Sequence, residues 1–256
     1  TALAQGYTPW FGSFRPTRAQ WAGLGSAPQG GIVSTASDLA RYLRMMMNGQ
    51  DDILSAAGKA RMLQPASDAS PGYGFGWMLD AEEGSAYHTG MSPGFETIAA
   101  MIPGKRRGVV VLTNGTSGMG FAETTDLRLG LVARALNVPQ AKDTGRTMRV
   151  VNFLSLAAAP VILLLAMIWA WLKREPLRAK RSSAFGLFSL WFPLLAMAAV
   201  AWVCVVLIPQ LFGTPMSNLA LFQPDMALLL KATAVLGVAW AVVRLGIAYT
   251  GQPGRT

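Results

Sequence analysis

The stretch Ser85-Ala-Tyr-His-Thr-Gly-Met-Ser-Pro-Gly-Phe-Glu-Thr-Ile-Ala-Ala-Met-Ile-Pro-Gly-Lys-Arg-Arg-Gly-Val-Val-Val-Leu-Thr-Asn114 alternates apolar runs with residues that turn a chain. Ser85 to His88, Phe95 to Ile102 and Gly108 to Asn114 are predicted strands. Ser92-Pro93-Gly94 and Pro103-Gly104-Lys105-Arg106-Arg107 are the breaks between them. Links this short suit an antiparallel meander. Val109-Val110-Val111-Leu112 is continuous enough to predict a central strand covered on both faces. Upstream, Tyr73 to Leu79 predicts a further strand, separated by Ala81-Glu82-Glu83-Gly84.

Helical periodicity flanks these strands. Ala36 to Asn48 predicts a helix with Ser34, Thr35 and Ser37 as candidate caps and Gly49 as its stop. Leu39, Leu43, Met46 and Met47 would form its buried face, and the Met45-Met46-Met47 run reads as core packing. Ser55 to Leu63 predicts a second short helix. Phe121 to Leu136 predicts a closing one, with Leu127, Leu131 and Ala135 at helical spacing and Asn137-Val138-Pro139 ending it. An antiparallel sheet with helices packed on it is an α+β architecture.

The rest of the chain has a different composition. Of the 256 residues 52% are hydrophobic and 14% charged, too apolar for one ordinary soluble domain. Residues 1–147 hold thirteen Lys/Arg and eleven Asp/Glu, whereas residues 148–256 hold nine Lys/Arg and only Glu175 and Asp225. Val150 to Leu172 and Gly186 to Ile208 are long enough to cross a hydrocarbon core of about 30 Å and carry no charge. Met226 to Tyr249 contains Lys231 and Arg244 and reads either as a surface helix or as a third span. Thirteen residues at about 100° each put the two charges on nearly opposite faces, which favours a span with snorkelling ends. The expected organisation is a domain over 1–140, a polar linker over 141–149 and a three-helix anchor over 150–256 (150–172, 186–208, 226–249).

Loop charges orient the anchor. Lys173, Arg174, Arg178, Lys180 and Arg181 lie between the first two spans, and Pro209 to Asp225 contains no Lys or Arg. The positive-inside rule puts the first link in the cytoplasm and the N-terminal domain outside, with the C-terminus cytoplasmic. The net charge of +9 therefore reflects membrane topology rather than nucleic-acid binding. The expected partner is a lipid bilayer, with no nucleic acid. Three helices with few polar groups read as an anchor more than as a transport unit. The single cysteine, Cys204, excludes an intramolecular disulfide. No secretory signal is visible at Thr1.

Chemistry narrows to few residues. His88 is the only histidine, and a lone histidine is as readily a structural residue as a catalytic one. No His/Cys/Asp/Glu group has metal-ligand spacing, and no phosphate loop occurs, so neither metal nor cofactor is expected. The sequence is read as lacking the G-x-S-x-G letters of a nucleophile elbow.

Four segments in order resemble one family. Gly30-Gly31-Ile32-Val33-Ser34-Thr35-Ala36-Ser37-Asp38-Leu39-Ala40 resembles a G-G-x-x-S-T-A-x-D-L-A segment, and Tyr73-Gly74-Phe75-Gly76-Trp77 resembles a Y-G-x-G-W strand. His88-Thr89-Gly90 with Ser92-Pro93-Gly94-Phe95 resembles a [KH]-T-G motif and its turn, and Val110-Val111-Leu112-Thr113-Asn114 the strand after it. The family is that of serine β-lactamases and penicillin-binding proteins, in its class C-like branch of β-lactamases, D-Ala-D-Ala carboxypeptidases, D-aminopeptidases and esterases. The likeness spans about residues 5–136. It implies a serine hydrolase acting on a small peptide, β-lactam or ester through an acyl-enzyme; with the spans and loop charges above, the expected protein is membrane-anchored and extracytoplasmic, in a bacterial cytoplasmic membrane.

The resemblance also implies site roles. His88 would shuttle a proton or supply an electrostatic group beside the nucleophile. Thr89 would bond a substrate carboxylate or carbonyl. Gly90 would let the substrate backbone lie against the strand, and the Met91 N–H would be an oxyanion-hole donor. His88 in place of Lys points to a peptidase or esterase more than a β-lactamase. Two motifs of the family are missing: no serine has Lys three residues later, and no Y-x-N occurs. Both precede the matching region in the family, and Thr1 to Tyr7 resembles the stretch after Y-x-N. The expectation is a C-terminal fragment carrying half an active site and inactive as it stands. The alternative is a non-catalytic relative that binds cell-wall fragments or regulates a partner.

Overall fold

The computed structural model describes residues 3–17, 30–119, 123–140 and 145–250. The chain forms two compact units, Thr1–Thr144 and Gly145–Thr256.

The first unit opens with a hairpin, β1 (Tyr7–Trp10) and β2 (Ser13–Pro16), joined by Phe11 and Gly12 at φ 47° and 85°. Two consecutive positive φ values are what a type I′ turn requires. This hairpin is absent from the sequence-based expectation, because Pro9 and Pro16 argue against strand. It is held by backbone: Tyr7 N–H donates to Asn114 O at 3.0 Å, and Thr116 N–H donates to Tyr7 O at 3.0 Å.

Helix α1 (Ala36–Met46) follows. Its cap is Thr35, whose Oγ1 accepts from Asp38 N–H at 3.1 Å and donates to Asp38 Oδ2 at 2.8 Å. That exchange explains the Ser-Thr-Ala-x-Asp pattern as a capped helix start. Gly49 at φ 68° turns the chain away after it. Helix α2 (Ala56–Met62) is capped by Ser55, which accepts from Gly58 N–H at 3.1 Å.

The sheet is a four-stranded antiparallel meander in the order β3 (Met78–Asp80), β4 (Ser85–Ser92), β5 (Phe95–Ile102), β6 (Arg107–Thr113). The strand predicted over Tyr73 to Leu79 shrinks to its last part. Tyr73 to Trp77 instead makes a tight turn, with Gly74 N–H donating to Trp77 O at 2.8 Å and Gly76 at φ 80°. A Cβ on Gly74 would run into the Met62 carbonyl. The expectation for Val109–Leu112 is also corrected. Among the described strands β6 is an edge of this sheet, and of the two interior strands, β4 and β5, β5 is the more buried.

Helices cover both faces. Leu43 and Met46 of α1 pack with Trp77, Ala86 and Met101 on one face. On the other, Ala100 and Ile102 pack with Leu136 of α3 (Thr125–Leu136), and Val132 joins them. The predicted start of α3 at Phe121 lies outside the described residues. Its buried face differs from expectation: Leu127 and Leu131 are exposed, and Arg128, Ala133 and Leu136 are buried. The reason is electrostatic. Arg128 must face inward to meet Glu96 on β5, their nitrogen and oxygen 3.0 Å apart with side chains 9% and 7% exposed.

The second unit holds α4 (Arg146–Leu172), α5 (Arg174–Ala179), α6 (Ala184–Trp202), a π-helical turn (Val203–Leu207), α7 (Ile208–Leu211), α8 (Met216–Phe222) and α9 (Pro224–Tyr249). Residues 146–149, expected in the linker, begin α4. Three helices are long and apolar enough to cross a membrane: Arg146–Leu172, Ala184–Leu211 and Pro224–Tyr249. The third is the most enclosed, 44% buried against 17% and 6%. Ala227, Ala234, Gly237, Ala241 and Ala248 are among its buried positions and let neighbouring helices approach closely, alongside larger ones such as Leu229, Leu230 and Ile247. Lys231 is exposed and Arg244 half-buried, near opposite ends.

Candidate active site

β4 carries the residues singled out by sequence. Its register with β5 is His88↔Ala99, Thr89↔Ile98, Gly90↔Thr97, Met91↔Glu96 and Ser92↔Phe95. β3 reaches only as far as Met78, opposite Tyr87. From His88 to Ser92, β4 therefore has β5 on one side and no described strand on the other. The turn is Pro93-Gly94, with Gly94 at φ 84°. In a two-residue hairpin the flanking pair exchanges both hydrogen bonds, and bonded and non-bonded pairs alternate from there. Counting back from Ser92–Phe95, the Met91 and Thr89 N–H groups are directed away from β5, toward the open edge.

Side chains alternate as well. His88 and Gly90 share the face of Ala86, over α1, whereas Thr89 and Met91 share the face of Tyr87, over α3. His88 and Thr89 thus leave the strand on opposite sides, and both are exposed. His88 Nε2 lies 3.2 Å from Tyr73 Oη, with the rings edge-on at 6.2 Å. One ring nitrogen is engaged and Nδ1 is left for other work, the tautomer setting which partner donates. Gly90 has its own packing reason to be glycine, because a Cβ there would press on Thr97 Oγ1.

Two contributors escape sequence reading. Tyr73 belongs to the turn before β3, and nothing in its spacing points to His88. Glu96, directly across from Met91, is 5% exposed. It accepts from Ser117 N–H at 2.9 Å and Thr124 Oγ1 at 2.7 Å and pairs with Arg128, which also donates to Thr97 O at 3.2 Å. Charged groups default to the surface, so only the fold reveals this network. It ties β5 to Ser117 and to the start of α3, behind the stretch of β5 that pairs with Thr89 to Met91.

One expectation is corrected outright. Gly90-Met91-Ser92-Pro93-Gly94 does fit the letters G-x-S-x-G. A nucleophile elbow requires strand, sharp turn and helix. Here the motif runs from strand into strand, so Ser92 has no elbow geometry. No group of His, Cys, Asp and Glu among the described residues could hold a metal.

The architecture is a meander sheet between helices, with a histidine-led open strand at its rim. The Beta-lactamase family model matches residues 1–134, and the chain belongs to that family. No curated protein matches the chain.

Proposed function

We propose that this chain is the distal part of a bacterial membrane-anchored serine hydrolase that acts outside the cytoplasm through an acyl-enzyme. Family membership supports the hydrolase type. The observation that carries the reading is the open edge of β4, where Met91 and Thr89 direct N–H groups outward beside His88. In the full-length protein, the serine of S-x-x-K and the tyrosine of Y-x-N would lie upstream of Thr1. The substrate carbonyl would meet the Met91 N–H and the nucleophile's own N–H, which together stabilise the oxyanion. Thr89 would hold the substrate's carboxylate or carbonyl. His88, steadied by Tyr73, would move the proton between nucleophile and leaving group. His88 in place of Lys favours D-amino-acid peptides and small esters over β-lactams.

The three long apolar helices support an anchor. With the basic 173–181 link cytoplasmic and the 209–225 link outside, the hydrolase unit is extracytoplasmic and the C-terminus cytoplasmic.

Replacing His88 with Ala in the full-length enzyme is expected to lower kcat on the order of 10²–10⁴-fold, the usual worth of an acid–base group. An unchanged rate would return His88 to a structural role.

A second reading rests on one observation: no serine in these 256 residues has Lys three positions later, and no Y-x-N occurs. The protein would then hold cell-wall fragments or a partner without turnover. Upstream sequence lacking either the serine or the lysine would decide for it.

A further inference from the structure

The link between α4 and α6 concentrates positive charge around a single carboxylate. Glu175 bonds Arg178 at 2.7 Å and lies 3.9 Å from Arg174. Two other cations converge on one residue of α6. Lys180 Nζ donates to Ser189 Oγ at 2.8 Å, and Arg244 Nη2, from α9, lies 3.5 Å from the Ser189 carbonyl. Both cations are half-buried, and neither has a carboxylate within ion-pair distance among the described residues.

The arrangement is built into the backbone. Gly186 is buried, and a Cβ there would overlap the Lys180 carbonyl, so only glycine lets the link sit this close to α6. Ser183 caps α6 by accepting from Gly186 N–H at 3.1 Å. Beneath the link, Leu177 packs with Ala170, Leu190 and Ile247. The Arg244 guanidinium also stands 4.8 Å from the Trp240 ring centre. Two like charges held at one residue, partly out of water, repel one another. An anion between them reverses the sign of that interaction. One turn either side of Ser189, Phe185 and Phe192 are exposed, and Phe188 stacks on Phe192 at 5.1 Å. This apolar strip suits acyl chains, which a free phosphate ion lacks.

We propose that Lys180, Arg244 and Ser189 form a headgroup site for an anionic phospholipid, its phosphate diester lying between the two cations. The inference rests on the membrane-spanning reading above. It goes beyond topology, because loop charge alone calls for a diffuse attraction, not a site.

The test is lipid retention by the full chain in nanodiscs that mix phosphatidylglycerol and phosphatidylcholine, read by native mass spectrometry. The wild-type chain is expected to keep phosphatidylglycerol preferentially. Lys180→Gln and Arg244→Gln are each expected to lose about fivefold of that preference, the effect of one basic residue at an anionic surface. Lys231→Gln, a charge on the same helix but away from the site, should leave it unchanged. Lys180→Gln lies in the link outside the long helices, so it keeps the test valid if Arg244→Gln misfolds. Full preference in Lys180→Gln, or an equal loss in Lys231→Gln, would overturn the site. Loss of the preference to millimolar inorganic phosphate would overturn the lipid assignment. A chain that inserts in bilayers without preference sinks the site and leaves the anchor standing. A chain that alkaline carbonate washes off membranes sinks the anchor instead.

Discussion

A few polar side chains show how much of this protein is decided residue by residue. Lys59 is 2% exposed, yet its ammonium pairs with Asp52 and donates to Asn48 Oδ1 and Gln50 O, both at 2.9 Å. The hydrogen bond from Lys59, then that from Asn48, pulls the Asp52 carboxyl down to about 2. A carboxyl lowered in the folded state stabilises fully above its unfolded value of about 4 and loses that contribution as pH falls toward 2. Asp52→Asn should therefore destabilise the first unit at neutral pH and converge with wild type at low pH, measured by urea melts at pH 7 and 3. A constant difference across that range would contradict the assignment. At the candidate site, Tyr73 Oη bonds His88 Nε2 and, under the proposed function, would position that ring. Tyr73→Phe removes one hydrogen bond of about 1 kcal/mol, and a fall in kcat of about fivefold with little change in KM is expected. The His88-Thr89-Gly90 motif was legible in the sequence because it is local. Lys59, Glu96, Arg128 and Tyr73 were not, because their partners are brought in by tertiary structure.

At the scale of elements, sequence pattern and structure part where turns and buried charges intervene. β4, β5 and β6 follow from apolar runs broken by Pro-Gly pairs. β1 and β2 were hidden by their prolines and by Phe11, a non-glycine residue at positive φ. Tyr73 to Trp77 has strand composition, but the approach of the Met62 carbonyl makes it a turn. Gly74→Ala should cost more than about 2 kcal/mol, the range of backbone strain with no room to relax. Gly72→Ala, whose Cβ would meet nothing closer than Leu79 O at 4.0 Å, should be near neutral when the two variants are compared in thermal melts. The docking of α3 carries a parallel expectation. Glu96→Gln leaves the Arg128 charge buried and uncompensated, and a loss of about 3–5 kcal/mol follows from breaking such a pair. In a double-mutant cycle Arg128→Met should recover part of that loss; strict additivity would show that the two side chains do not act together.

For the whole molecule, composition alone separated the two halves, since charge nearly vanishes where the long helices lie. It did not reveal that the third helix, the one with two charges, is the most enclosed. Its small residues let neighbouring helices close in around the larger buried ones, a property of packing rather than of hydropathy. The proposed protein is a serine hydrolase whose His88-to-Met91 edge would border the cleft, with the long apolar helices as its membrane anchor. The most direct measurement is labelling of the full-length protein in isolated membranes with a fluorophosphonate or a fluorescent penicillin. The account predicts one covalent label, kept in the membrane fraction after an alkaline wash and abolished by Ser→Ala at the serine of an upstream S-x-x-K. No label, or a label that survives that substitution, would contradict it.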